Sequence, residues 1–270
     1  IVNWVKSNVK LIITVESLFL IAFAALALLR AANPEALGTE KPMELAFINA
    51  ILRSPTFPPR DPWLAGYAIS YYHFGYIITA MLAKLTATPG SVAFNLMIAL
   101  VFALSAVGSY GILYNLLALR FTTARAESRD DQREKNTEHR PLKTEHWNAL
   151  LAPLFLLLVS NFEALLELLH QNGIFWVAGK ENFWTWLNIK TLNQDPATLQ
   201  PIPGRFWWWW RASRVVQDYD LAGNFREVID EFPAFSFILG DLHPHVLALP
   251  FALLAVAIAR EVHHLDAAAA

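Results

Sequence analysis

Apolar residues in this chain gather into blocks long enough to cross a lipid bilayer. The stretch 92–119 holds no charged residue, and 11–29 holds a single one, Glu16. A bilayer core is about 30 Å thick, so a spanning helix needs roughly 20 mostly apolar residues. A soluble helix keeps one polar face toward water, and these blocks have none. They predict an all-α, polytopic helical membrane protein.

The balance of residue types agrees. Of 270 residues, 55% are hydrophobic and 16% charged. The net charge of −2 argues against a nucleic-acid partner. With no cysteine, disulfides and thiolate metal sites are excluded. The chain opens on Ile1 and ends in alanines over 267–270. Those ends suggest a piece of a longer protein, with the alanines as placeholders.

Four spans are expected, at about 11–29, 92–119, 147–170 and 235–259, within one transmembrane domain over 1–266. Short loops rich in Lys and Arg stay cytoplasmic. Lys6 and Lys10 put the N-terminus inside the cell. Arg120, Arg125, Arg129, Arg133, Lys135, Arg140 and Lys143 do the same for the loop 120–146. The apolar stretch 67–85 is then read as a juxtamembrane helix, because a fifth span would move the basic loop outside. Two external segments follow, 30–91 and 171–241, in a multi-pass protein of the plasma membrane.

The external segments carry the chemistry-bearing residues. Pro42 suits the first turn of a helix, which sets Glu40 and Lys41 at a helix start beside the membrane. Arg53, Arg60 and Asp61 follow among apolar residues, and charges there need water, partners or a ligand. Tyr71 and Tyr72 fit either an interfacial belt or a binding site. In the second segment Trp209 can stack on a sugar ring, while Arg211 and Arg214 can pair with phosphate; the same residues also suit headgroup anchoring. Asp241, His243 and His245 stand together where the chain enters its last block. Carboxylate and imidazole can ligate a divalent metal ion, hold a phosphate or move a proton. Ionisable groups at membrane depth point to function. Glu163, Glu167 and His170 fall at helical spacing near one helix end, where a solvated terminus explains them equally well.

Several of these motifs together resemble the YYY-domain family of polytopic membrane proteins. They are Glu40-Lys-Pro-Met43, Phe57-Pro-Pro-Arg-Asp-Pro-Trp-Leu-Ala-Gly66, Tyr71-Tyr-His-Phe-Gly75, the run 207–214, and Glu231-Phe-Pro through Gly-Asp-Leu-His-Pro-His245. The name-giving triple tyrosine is Tyr71-Tyr72-His73 in this chain. The layout is also similar to that of GT-C glycosyltransferases, which use lipid-phosphate sugar donors. Glu40, Pro58-Pro59, Tyr71–Tyr76 and Asp241 occupy the corresponding places of a GT-C-like N-terminal half.

That resemblance implies sugar transfer from a polyprenyl-phosphate-sugar at the external membrane face. Glu40 would act as the base, with Asp61 second. Lys41, Arg53, Arg60, Arg211 and Arg214 would meet the lipid phosphate. Asp241, His243 and His245 would bind a divalent ion or orient the phosphate, and Asp241 joins the catalytic set. Membrane lipids are further expected partners. The rival readings are a structural or assembly subunit among other membrane subunits, and a transporter of lipid-linked sugar.

Overall fold

The computed structural model describes residues 2–129, 145–196 and 208–269. Arg133, Lys135, Arg140 and Lys143 of the basic loop, and Arg205 to Trp207 of the Trp-rich run, lie outside the described residues. The chain forms two compact units, Ile1–Leu157 with Leu239–Ala270, and Leu158–Ile238. The sequence reading had one transmembrane domain. The segment after 158 builds its own core around Trp184.

The first unit opens with a short helix α1 (Val2–Ser7) and the long apolar helix α2 (Val9–Ala32). Next come α3 (Lys41–Arg53), α4 (Phe74–Leu85) and α5 (Gly90–Arg129). After the basic loop stand α6 (Glu145–Ala149), α7 (Leu151–Pro153) and a π-helical turn (Leu154–Val159). In the second unit lie α8 (Glu163–Gln171), α9 (Phe183–Leu187), α10 (Trp208–Ala212), strands β1 (Gln217–Tyr219) and β2 (Phe225–Glu227), and most of α11 (Pro233–Leu239). Helix α12 (Pro244–Ala269) returns the chain to the first unit.

Among the described residues, three helices are long and apolar enough to cross a membrane: α2, α5 over Gly90–Ala118, and α12 over Pro244–Val262. Leu20, Ile21 and Leu28 of α2, and Phe251, Leu254 and Ile258 of α12, stand exposed, as lipid-facing positions do. The core runs along α5, where Ala99, Ala103 and Ala106 are buried. Small residues let α2 and α12 approach closely. Ser105 and Ser109 are buried there too, and each hydroxyl donates back to its own helix, to Val101 and Ala106. Helix α4, with 12 residues, rises about 18 Å, too little to cross.

Two expected spans take another course. The block 147–170 is not one helix: Ser160 adopts a left-handed φ of 55°, and Asn161 Oδ1 accepts the Glu163 N–H at 3.0 Å. Asn and Ser offer the backbone this alternative to a continuing helix. The pieces on either side count as a fourth span only when taken as one broken element. The last span begins at Pro244, because Gly240 ends α11 at a φ of 76°.

The second unit packs around Trp184, which is fully buried and donates from Nε1 to the Ile174 carbonyl at 2.8 Å. Asn182 and Thr185 form a reciprocal capping box at the start of α9. The β1–β2 hairpin is pinned by Asp220, which accepts from the Ala222 and Asn224 backbone and from Arg226. Those bonds hold its carboxyl below the usual carboxylate range.

Candidate functional site

Pro42 sits in the first turn of α3, so the helix starts at Lys41 with Glu40 as its cap residue. Glu40 and Glu44 are four residues apart and share one helix face. Phe47, one turn further on, packs against Trp63, Tyr71 and Tyr76 with ring centroids 5.6–5.9 Å away. That aromatic contact draws the 57–76 loop over the start of α3. Tyr71 then donates its hydroxyl to Glu40 Oε2 at 3.1 Å. Tyr76 reaches Glu44 Oε1 at 3.5 Å.

The turn between α11 and α12 closes the other side. Lys41 Nζ donates to the Leu239 carbonyl at 2.9 Å. The Leu242 N–H donates to Glu44 Oε2 at 2.8 Å. Thr39 Oγ1 stands 2.7 Å from Asp241 Oδ1 as its donor. His243 presents Nε2 3.4 Å from Glu40 Oε2 and 3.9 Å from Asp241 Oδ2. One imidazole thus faces two carboxylates that are 201 positions apart in the chain. Arg30, from the last turn of α2, packs under Gly240. A Cβ at Gly240 would stand 2.3 Å from its Nη1, so both the positive φ and the close approach require glycine.

Burial differs sharply across the cluster. Asp241 is 3% exposed and Glu44 is fully buried, while the Glu40 side chain keeps 46% of its surface. Burial pushes the Glu44 carboxyl up to about 8, assisted by the Asp241 and Glu40 charges and opposed by the Leu242 N–H. Glu44 is therefore largely neutral at neutral pH. Burial, and then Glu40, push the Tyr71 phenol up to about 12, and burial raises Tyr76 as well. Both phenols stay donors to their carboxyl partners.

Beside this cluster lies an apolar groove of about 710 Å³ between the 71–78 segment and α12. Tyr71, Tyr72, His73 and His245 join Phe74, Ile77, Leu247 and Phe251 in its walls. Tyr71 belongs to both groove and cluster. Gly75 lets α4 meet α12 there, since a Cβ would stand 2.4 Å from Leu247. The His73 Nδ1–H donates to the Tyr71 carbonyl at 2.8 Å. The His243 and His245 rings meet edge to face, 5.4 Å apart.

The other residues singled out in the sequence fall elsewhere. Asp61 accepts the Trp63 and Leu64 N–H groups at 2.8 Å each and so shapes its own loop. Arg53 and Arg60 are exposed and form no ion pair among the described residues. In the second unit Arg211 pairs with buried Glu167. Arg214 lies 3.6 Å over the Trp210 ring, and Trp209 meets Phe235 at a tilt, with ring centroids 5.8 Å apart. Glu163, Glu167 and His170 form one buried face of α8, where a solvated helix end was one expectation. Thr39, Glu44 and Arg30 of the cluster were not singled out in the sequence, and Tyr76 was marked there only as part of the run Tyr71–Tyr76. Thr39 and Glu44 flank residues that were singled out, and the spacing of Glu44 from Glu40 was the available signal. Arg30 reads as a boundary charge of the first span, and Tyr76 reads as one more interfacial aromatic.

Spans, apolar core and a polar cluster built at helix ends define a polytopic α-helical membrane protein. The chain belongs to the uncharacterized membrane protein family DUF2298, whose model matches residues 2–269. No curated protein and no solved structure matches it.

Proposed function

We propose that this chain transfers a sugar from a polyprenyl-phosphate-linked donor to an acceptor at the external membrane face. The observation that carries the reading is the meeting of Glu40, Asp241 and His243, residues from opposite ends of the chain, beside an apolar groove. A lipid-linked sugar needs this pairing: a wall for the isoprenoid chain and a polar site for the headgroup. The same cluster holds Asp241 at 3% exposure, and a buried ionisable group beside the groove supports an enzyme over a scaffold subunit.

The geometry supports the following chemistry. The acceptor hydroxyl loses its proton to Glu40, the exposed carboxylate, as its oxygen bonds to the anomeric carbon. The bond from that carbon to the phosphate oxygen breaks, and polyprenyl phosphate leaves with the electron pair. His243 can take that proton from Glu40, and Asp241 beside it stabilises the imidazolium that forms, which would face the developing phosphate charge. Tyr71 orients Glu40. Glu44 fixes the Leu242 N–H and so the path of the Asp241 turn. His245, whose ring meets that of His243 at 5.4 Å, could supply an imidazole ligand to a divalent ion, whose chemistry would be to neutralise the leaving phosphate. The layout of GT-C enzymes supports the same assignment by analogy. In this reading the N-terminus is cytoplasmic and the cluster lies outside the plasma membrane.

The test is a transfer assay in proteoliposomes with polyprenyl-phosphate sugars, scored by release of polyprenyl phosphate. Wild type should release it, and Ala248→Trp, which fills the groove wall, should raise KM for long-chain donors. Release that is absent with every donor, or unaffected by the filled groove, would overturn the proposal.

A further inference from the structure

We propose that the groove between α2 and α5 is a phosphate site for an anionic lipid headgroup, with Arg30 as its cation. Arg30 packs under the Gly240 turn on one side and lines this groove on the other, and the proposal does not depend on the sugar-transfer reading. The groove holds about 280 Å³ and is walled by Ala27, Arg30, Ala31, Ser91, Val92 and Asn95.

Arg30 carries the argument. It is 4% exposed, yet its Nη2 has no hydrogen-bond partner among the described residues. Its Nε donates to Asn95 Oδ1 at 2.9 Å. The Asn95 amide is fixed in turn, donating to the Pro34 and Ser91 carbonyls at 3.1 and 3.0 Å. The guanidinium is therefore held in place with one nitrogen unused. A buried cationic nitrogen without a partner is costly and calls for an acceptor. Asp241 attracts the same guanidinium from the Gly240 side but does not bond to Nη2.

The second observation is the start of α5. Helix α5 begins at Gly90, and its first bonds run from Val92 and Ala93 to the Pro89 carbonyl. Ser91 lies exposed in the groove wall, on the first turn, where N–H groups have no intrahelical acceptor. A helix start and a guanidinium together favour a phosphate. The position names the source. Arg30 lies in the last turn of a 24-residue spanning helix, about 36 Å long, which brings it to headgroup level. Ala27 and Val92 extend the groove with apolar surface suited to acyl chains.

Native mass spectrometry of the full chain in detergent tests this, with phosphatidylglycerol, phosphatidylcholine and inorganic phosphate as probes. One phosphatidylglycerol should be retained at about a tenfold lower concentration than phosphatidylcholine (about 1.4 kcal/mol). Arg30→Met should abolish that preference and Arg30→Lys should keep part of it. Ala31→Trp fills the groove without touching the charge, so it should remove the bound lipid even where Arg30→Met fails to fold. Displacement of the lipid by millimolar inorganic phosphate supports the site and shows that the phosphate itself is read. Lipid retention indifferent to inorganic phosphate also supports it and assigns a diacyl source. Equal retention of the two lipids, or a preference surviving Ala31→Trp, overturns the proposal.

Discussion

Replacing Glu44 with Gln removes a buried group that must stay neutral for the fold. Its carboxyl is raised from 4.5 to about 8 in the folded chain. Between those values the folded state binds one proton more than the unfolded state. Stability is then fully present below about 4.5 and is lost as pH rises through about 8, with a slope of about 1.4 kcal/mol per pH unit. The whole window amounts to on the order of 5 kcal/mol. Glutamine keeps the size, accepts from the Leu242 N–H, and cannot ionise. The assay is thermal unfolding in detergent from pH 5 to 9, followed by tryptophan fluorescence. The wild-type midpoint should fall across this range, and the Glu44→Gln midpoint should fall much less. Above pH 8 the variant should be the more stable of the two. A variant whose midpoint tracks wild type at every pH would refute the assignment of the proton to Glu44.

Gly240→Ala should destabilise the chain by about 2 kcal/mol or more, because it strains a positive φ and displaces Arg30; thermal unfolding measures it. Trp184→Ala should cost about 3–5 kcal/mol of the second unit's stability, read as faster limited proteolysis within Leu158–Ile238. A cysteine placed at Asp131 should resist a membrane-impermeant thiol reagent in intact cells, as the basic loop's charge requires.

The parts of this structure that obey simple periodicities were legible in the sequence. The apolar runs 11–29, with the single charge of Glu16, and 92–119, with none, fall inside the helices α2 and α5, because a long apolar run with few charges favours one continuous helix. Pro42 correctly marked the first turn of α3. The breaks at Ser160 and Gly240 were not legible, since they depend on local side-chain bonds and on Arg30 packing under a turn. Within the site, Glu40, Lys41, Asp241 and His243 were picked out because ionisable residues beside apolar blocks are conspicuous. Glu44 and Arg30 were passed over because each reads as part of a helix and not of a site. Arg211 was conspicuous beside its tryptophans, but its partner Glu167 lies 44 positions away and could not be paired with it by inspection.

The central claim is that Glu40 and Asp241 act as one unit through His243. A double-mutant cycle on the rate of polyprenyl-phosphate release tests it most directly. Glu40→Gln and Asp241→Asn should each lower the rate by about 100-fold or more, with the protein still inserted and folded. Residues that act together lose their function together, so the double variant should fall no further than the worse single one. Losses that multiply, or a single variant that keeps wild-type release, would contradict the account.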